Sequence, residues 1–364
     1  MKTIRVHWTY PYIYSRARGF LSRMLSPSQV EEILRSDITT FLQVLLNTSY
    51  KDVVASSSQS EFSIVDFEHA ARKELLNRLE TLITCIPKDA MRVVNLEFKK
   101  FEARNIKQAL RILHLVETEG EEVPEELKKF FIPVFYSPEY YERFLDLESI
   151  ARAIEIIRDA RLRKALLEVY EDYKRKGEYS ILETKIDTTI YRDLRNVVKY
   201  WGVGSNAGDA DRFQIYRLVS EEIDLVNTAI VMRCFLAGVD FTDYLIPANF
   251  ALGDEFCSIL AAETVTEVLN ILARTPYRHI VERIGSVDER DALHEFELLS
   301  KRYIVKRIKS SLYTSPFSVI CFYCFLELEL QELEDIMTLF VGKFSGLDSE
   351  VIKSNLILLG LDGR

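Results

Sequence analysis

Apolar residues recur along this chain at the three- and four-residue spacing that puts them on one side of a helix. Ile38, Phe41, Leu42 and Leu45 form such a stripe and predict a helix from Asp37 to Leu46. Phe20 to Leu25 and Gln29 to Leu34 read as short helices on either side of Ser26-Pro27, a serine able to cap and a proline suited to a first turn. Phe67 to Cys85 and Asp89 to Leu115 predict long amphipathic helices parted by Pro87, and Ser56 to Ser60 a polar loop. No segment sustains the strict alternation of a half-buried strand, so the fold class is all-α.

The pattern also repeats on a larger scale. LSPSQVEEIL from Leu25 and DITTFLQVLLNTSYKDVV from Asp37 return as LGDEFCSIL from Leu252 and TVTEVLNILARTPYRHIV from Thr264. At one offset of 227, Leu45 falls on Leu272, Thr48 on Thr275, Tyr50 on Tyr277, Lys51 on Arg278 and Val54 on Val281. A weaker copy lies between, with Ser137 and Pro138 on Ser26 and Pro27 and with Tyr141, Phe144 and Leu145 on Val30, Ile33 and Leu34. A unit of about 110 to 120 residues is a domain rather than a solenoid repeat. The acidic stretch Glu117 to Glu126 and the segment Asp240 to Asn249 read as linkers. Together these predict three homologous helical domains, 1–120, 121–240 and 241–364, about a pseudo-threefold axis.

A second marker follows the first in each copy. Glu102 and Asn105, Asp224 and Asn227, and Glu332 and Asp335 each place an acid three residues before Asn or Asp on a helix, which stacks both polar groups on one face. Arg111 and Arg233 follow the first two at equal distance, and Val341 takes that place in the third.

Composition supports a helical body, with 13 Gly and 9 Pro in 364 residues. The formal charge of −9 argues against a nucleic-acid partner, which needs a basic face to replace counterions. Five irregularly spaced cysteines suggest reduced thiols rather than a disulfide framework. The longest apolar run, Val319 to Leu326, falls far short of the ~20 residues that span a bilayer, so no direct membrane insertion is expected. The first thirty residues hold Lys2, Arg5, Arg16, Arg18 and Arg23 and no acid before Glu31. Tyrosines and polar residues break up any signal-like core there. This basic stretch reads first as a solvated helix face, and in a sharper reading as a contact for an acidic partner or an anionic membrane surface.

Patterns that would suggest an enzyme are incomplete. Gly202 to Gly208 is glycine-rich but lacks the strand before it and the lysine that a phosphate loop requires, so a helix connection capped by Asp209 or Asp211 is the simpler reading. Cys321-Phe-Tyr-Cys324 stands alone inside an apolar helix, with no second pair at zinc spacing. His7, His69, His114, His279 and His294 are scattered without a metal-binding spacing. No catalytic, cofactor-binding or metal-ligating residue is assigned.

The three copies, the start Tyr12-Ile-Tyr14-Ser-Arg16-Ala17-Arg18, the Asx-bearing helices and the ending Gly342-Lys-Phe-Ser-Gly-Leu-Asp348-Ser-Glu350 together resemble the C subunit of archaeal-type rotary ATPases, whose vacuolar counterpart is the d subunit. The resemblance covers essentially the whole chain and departs at Asp335, where that family more often has Asn, and near Asp348, where it often has Pro or Ser after Gly-Leu. It implies a funnel-shaped, non-catalytic coupling component of an H+- or Na+-transporting ATP synthase. Such a component lies on the cytoplasmic face of the membrane as a peripheral protein, with the proteolipid ring and the central-stalk subunits as partners and no cofactor. Arg16 and Arg18, inside the family-like start, are the candidate ring contacts. Glu102, Asn105, Asp224, Asn227, Glu332 and Asp335 could line an axial cavity, but read first as buried groups that fix helix contacts. Two other classes stay open, a helical scaffold of another soluble complex and an all-α enzyme using nucleotide or diphosphate.

Overall fold

The structure is a computed structural model that describes residues 4–57, 62–86, 90–120, 131, 136–147, 149–200, 209–246, 250–285 and 288–360. Among these residues there are seventeen helices and no strand. No helix among them is long and apolar enough to cross a membrane. Gly202 to Gly208 and Pro87 lie outside the described residues.

The packing groups the chain into two compact units, one of Met1–Met91, Gly204–Leu218 and Leu272–Arg364, the other of Arg92–Val203 and Val219–Ile271. Each gathers helices from more than one sequence copy.

In the first unit, α1 (Ile4–Leu21) closes with Arg23 and Met24 N–H donating to the carbonyls of Phe20 and Leu21. The helix expected from Phe20 to Leu25 is therefore the end of a longer helix plus a tightened turn, and the Leu25 N–H leaves the helical ladder. α2 (Pro27–Arg35) starts as the sequence predicts, with Pro27 in the first turn and Ser26 and Gln29 forming a reciprocal capping box. Asp37 caps α3 (Ile38–Leu46), accepting from Thr40 N–H at 2.9 Å. α4 (Lys51–Ser57) runs into the stretch expected to be a polar loop. Ser56 and Ser57 direct their hydroxyls back to the Val53 carbonyl, which satisfies them within a helix. Ser63 caps α5 (Ile64–Ile83).

α6 (Met91–Glu119), α7 (Pro138–Leu145), α8 (Ile150–Ile156), α9 (Ala160–Lys176) and α10 (Ser180–Tyr200) build most of the second unit. Tyr141, Phe144, Ile154 and Leu166 are fully buried in its core. Glu117, expected in a linker, is still in α6, and its carboxylate accepts from the Ile150 N–H at 2.8 Å where α8 begins. Gly177, at φ 72°, ends α9 in the left-handed region that glycine reaches without strain, letting α10 start within three residues and pack against α9.

α11 (Asp209–Ala237), α12 (Glu255–Leu260), α13 (Val265–Leu272) and α14 (Arg278–Val281) follow, then α15 (Glu289–Thr314), α16 (Ile320–Phe344) and α17 (Ser349–Asn355). α16 crosses the first unit as a buried spine against α1, α3, α5, α15 and α17. Phe340 stacks on Phe41 at 4.2 Å and meets Phe67 edge-on at 5.0 Å. Cys321 and Cys324 are fully buried in this spine, and Cys321 Sγ–H donates to the Pro316 carbonyl at 2.9 Å.

The sequence repeat is visible as repeated local geometry. Thr48 Oγ1 donates to the Leu45 carbonyl at 2.7 Å and accepts from Tyr50 N–H at 3.2 Å. Thr275 makes the same pair of bonds to Leu272 and Tyr277, at 2.7 and 3.1 Å. Past the second marker, α11 and α16 end alike, at Gly238 (φ 65°) and Gly346 (φ 66°). In each the next N–H folds back onto the helix, Val239 to the Cys234 carbonyl at 3.0 Å and Leu347 to that of Gly342 at 2.9 Å.

Candidate functional site

The polar pairs of the second marker are buried, and those on α11 and α16 direct most of their hydrogen bonds to backbone. Asp224, fully buried on α11, accepts from Phe250 N–H at 2.8 Å and Ala251 N–H at 2.7 Å, directly before Leu252, where the third copy of the repeat begins. Three residues on, Asn227 bonds Ile246 twice at 2.8 Å, its amide donating to the carbonyl and its oxygen accepting from the N–H. Side-chain carboxylate and amide groups thus serve as hydrogen-bond partners for the backbone of Ile246, Phe250 and Ala251.

On α16 the same two positions act on different segments. Glu332 Oε1 accepts from Leu25 N–H at 2.6 Å and its Oε2 from the Tyr50 hydroxyl at 2.8 Å. Leu25 opens the first copy of the repeat. The acid in the last copy therefore does for the first what Asp224 does for the third. Asp335 accepts from Ile357 N–H at 2.9 Å and Leu359 N–H at 2.7 Å, holding the segment beyond α17 as Asn227 holds Ile246. Glu102 and Asn105 are buried at the matching place on α6, and the Glu102 charge raises the phenol pKa of Tyr136, the residue before Ser137, after burial itself.

α16 and α17 grip the first copy a second time. Lys343 Nζ donates to the carbonyls of Leu34 and Ser36, and Ser349 Oγ to that of Leu34, satisfying the last turn of α2. Lys353 pairs with Glu31 on the same helix.

Burying these acids shifts their titration. Desolvation raises the Glu332 carboxyl to about 8, the neighbouring Glu329 charge adds to it, and the bonds from Leu25 and Tyr50 oppose it. Asp335 is raised by burial against the opposition of its backbone bonds. Glu329 is raised by burial and held back by Arg78, whose guanidinium meets it at 2.8 Å and Glu74 at 3.2 Å. The Tyr50 phenol is pushed far up by burial and by Glu332.

Spacing alone does not single out Arg78 and Glu329. Glu329 lies three residues before Glu332 and Arg78 four after Glu74, but the two partners are 251 positions apart. Arg111, marked out by its distance from the first polar pair, binds Glu183 at 2.8 Å. Val341, at the corresponding place in the third copy, is exposed.

Arg16 and Arg18 are both exposed on α1 but do not share a face. The buried stripe of Ile13 and Ala17 separates them. Arg16 lies 5.4 Å from the Phe20 ring centroid, whereas Arg18 donates to the Tyr313 hydroxyl at 2.9 Å and sits over that ring at 5.0 Å. No group of His, Cys, Asp and Glu among the described residues is placed to hold a metal ion.

Fold and clasps together define an all-α repeat protein whose buried carboxylates bind its own backbone. Residues 13–355 match the ATP synthase (C/AC39) subunit family, and the chain belongs to it. It is similar to the A-type ATP synthase C subunit of Methanosarcina barkeri, 24% identical over 96% of this chain and 93% of that one. The C subunits of the A-type ATP synthases of Haloferax volcanii and Thermococcus kodakarensis are 22% and 21% identical, over 96% and 97% of this chain and 97% and 92% of theirs.

Proposed function

We propose that the chain is the non-catalytic coupling component of an archaeal- or vacuolar-type ATP synthase, joining the central stalk to the membrane proteolipid ring. The observation that carries this reading is the family match across residues 13–355, together with A-type ATP synthase relatives that the chain covers almost end to end. In this role the chain sits peripherally on the cytoplasmic face of the membrane, and its three repeat domains, 1–120, 121–240 and 241–364, surround a pseudo-threefold axis. A torque adaptor must resist shear between its repeats. Backbone clasps such as Asp224 to Ala251 and Glu332 to Leu25 supply that resistance, because each sets a side-chain hydrogen bond to backbone where one copy of the repeat meets the start of another. The six marker residues therefore act structurally rather than as stalk contacts. Of the two arginines on α1, Arg16 is the one that meets the ring, because Arg18 is engaged with Tyr313 on the other side of the helix.

Affinity purification from detergent-solubilised membranes tests this. Co-purification of proteolipid and stalk proteins with the tagged chain supports the assignment. Recovery of the chain alone, or with a soluble complex lacking both, rejects it.

A further inference from the structure

The flank of α1 that carries Arg18 continues onto a second basic element in the same unit. Residues 1–30 and 298–326 hold five Lys or Arg each and no Asp or Glu, on a chain of net charge −9. The structure brings the two stretches together. Arg18 binds the Tyr313 hydroxyl at 2.9 Å, and the Tyr14 and Phe317 rings meet edge-on at 6.0 Å. Lys306, exposed two turns before Tyr313, extends the same side of α15. Ser315 donates to Gln214 at 2.8 Å, which ties the end of α15 to α11.

This face is also unusually apolar for exposed surface. Tyr313 and Phe317 are 60% and 62% exposed. Single exposed aromatics are ordinary, but two neighbouring ones beside lysine and arginine mark a place of interaction. Aromatic rings interleaved with cations match the water–lipid boundary, where rings sit at headgroup depth and cations meet phosphates. An acidic protein surface would satisfy the cations and leave the rings without an apolar layer to enter.

We infer that this face, built on Arg18, Lys306, Tyr313 and Phe317, docks on an anionic phospholipid surface. The overall negative charge does not prevent it, since fields from charges farther off than a screening length of ~10 Å are largely damped at 0.1 M salt. This docking goes beyond the coupling assignment and is measurable with no ring or stalk present.

The test is sedimentation of the full chain with phosphatidylcholine vesicles, with and without roughly one-third phosphatidylglycerol, at about 50 and about 500 mM salt. Lys306→Glu and the double variant Tyr313→Ser/Phe317→Ser are compared, each checked for unchanged helicity by circular dichroism; all three positions are exposed. Poly-glutamate serves as the acidic-protein probe. The expected result is binding to anionic vesicles at low salt, loss of it at high salt, and little binding to phosphatidylcholine alone. Lys306→Glu should weaken it about fivefold or more, as one surface cation is worth about that factor, and the double variant should also weaken it. Absence of binding to anionic vesicles at low salt, equal binding to neutral vesicles, or unchanged binding by both variants overturns the inference. So does salt-sensitive capture of poly-glutamate with no vesicle binding, which would assign the face to an acidic protein.

Discussion

Glu332 on α16 accepts a hydrogen bond from the backbone N–H of Leu25 at 2.6 Å, across 307 positions of sequence. The bond ties the last copy of the repeat to the first, and its acceptor is a carboxyl that burial raises to about 8. Below the ordinary carboxyl pKa near 4.5 the folded and unfolded chains both carry this proton. Between there and about 8 the unfolded chain releases it while the folded chain keeps it, so stability falls as pH rises, by at most ~1.4 kcal/mol per pH unit for one proton. Asp335 and Glu329 are shifted in the same direction, so the Glu332 share is read as a difference. Urea midpoints from pH 5 to 8 should fall less steeply for Glu332→Gln than for the unchanged chain. Equal slopes would show that Glu332 titrates normally.

Arg78 is the cation facing Glu329, which is only 4% exposed. Replacing Arg78 by Met leaves a buried carboxylate without its ion pair and should cost about 3–5 kcal/mol. Adding Glu329→Gln removes the stranded charge and should recover a large part of that loss. A double variant as unstable as the sum of the two single ones would mean that the pair is not coupled.

Gly342 lies where α17 packs on α16. A Cβ there would come within 2.6 Å of Ile352 Cγ1 and 2.9 Å of its Cδ1, and Ile352 is buried. Gly342→Ala should destabilise by about 1–3 kcal/mol through overpacking. The same change made in an Ile352→Ala background should cost clearly less, and equal cost in both would remove Ile352 as the cause.

Asp224→Ala strips the acceptor from two N–H groups, those of Phe250 and Ala251. The expected loss is roughly 1–3 kcal/mol, because two donors left unpaired in a part-buried setting bear part of their desolvation penalty. Amide exchange at residues 250 and 251 should rise with it; unchanged protection there would mean other acceptors take over.

Local signals make much of this fold legible. The stripe of Phe41 and Leu45 and the Ser26 cap depend on neighbours within a few residues, and each takes the form that the sequence predicts; the Asp37 cap and the Thr48 bonds are as local but are not predicted from it. Recurrence exposes the polar markers but not their hydrogen-bond partners. Nothing near Glu332 in sequence points to Leu25 or Tyr50, and nothing near Arg78 points to Glu329. Gly238 and Gly346, each fourteen residues past the acid of its marker, are a third repeating signal that the periodicity of apolar residues cannot detect. Helix limits shift where side chains satisfy what the sequence suggests is loose, as Ser56 and Ser57 do on the Val53 carbonyl. The two-residue spacing of Arg16 and Arg18 already turns them different ways on a helix, and the buried Ile13 and Ala17 do lie between them.

The central claim is that this chain couples stalk rotation to the proteolipid ring, and ATP-driven ion pumping by the reconstituted complex tests it most directly. Complex assembled without the chain should hydrolyse ATP in its soluble head yet pump no ions across a vesicle membrane, and adding the chain back should restore pumping. Pumping at the full rate without the chain, or failure of the added chain to restore it to an otherwise complete complex, would contradict the account.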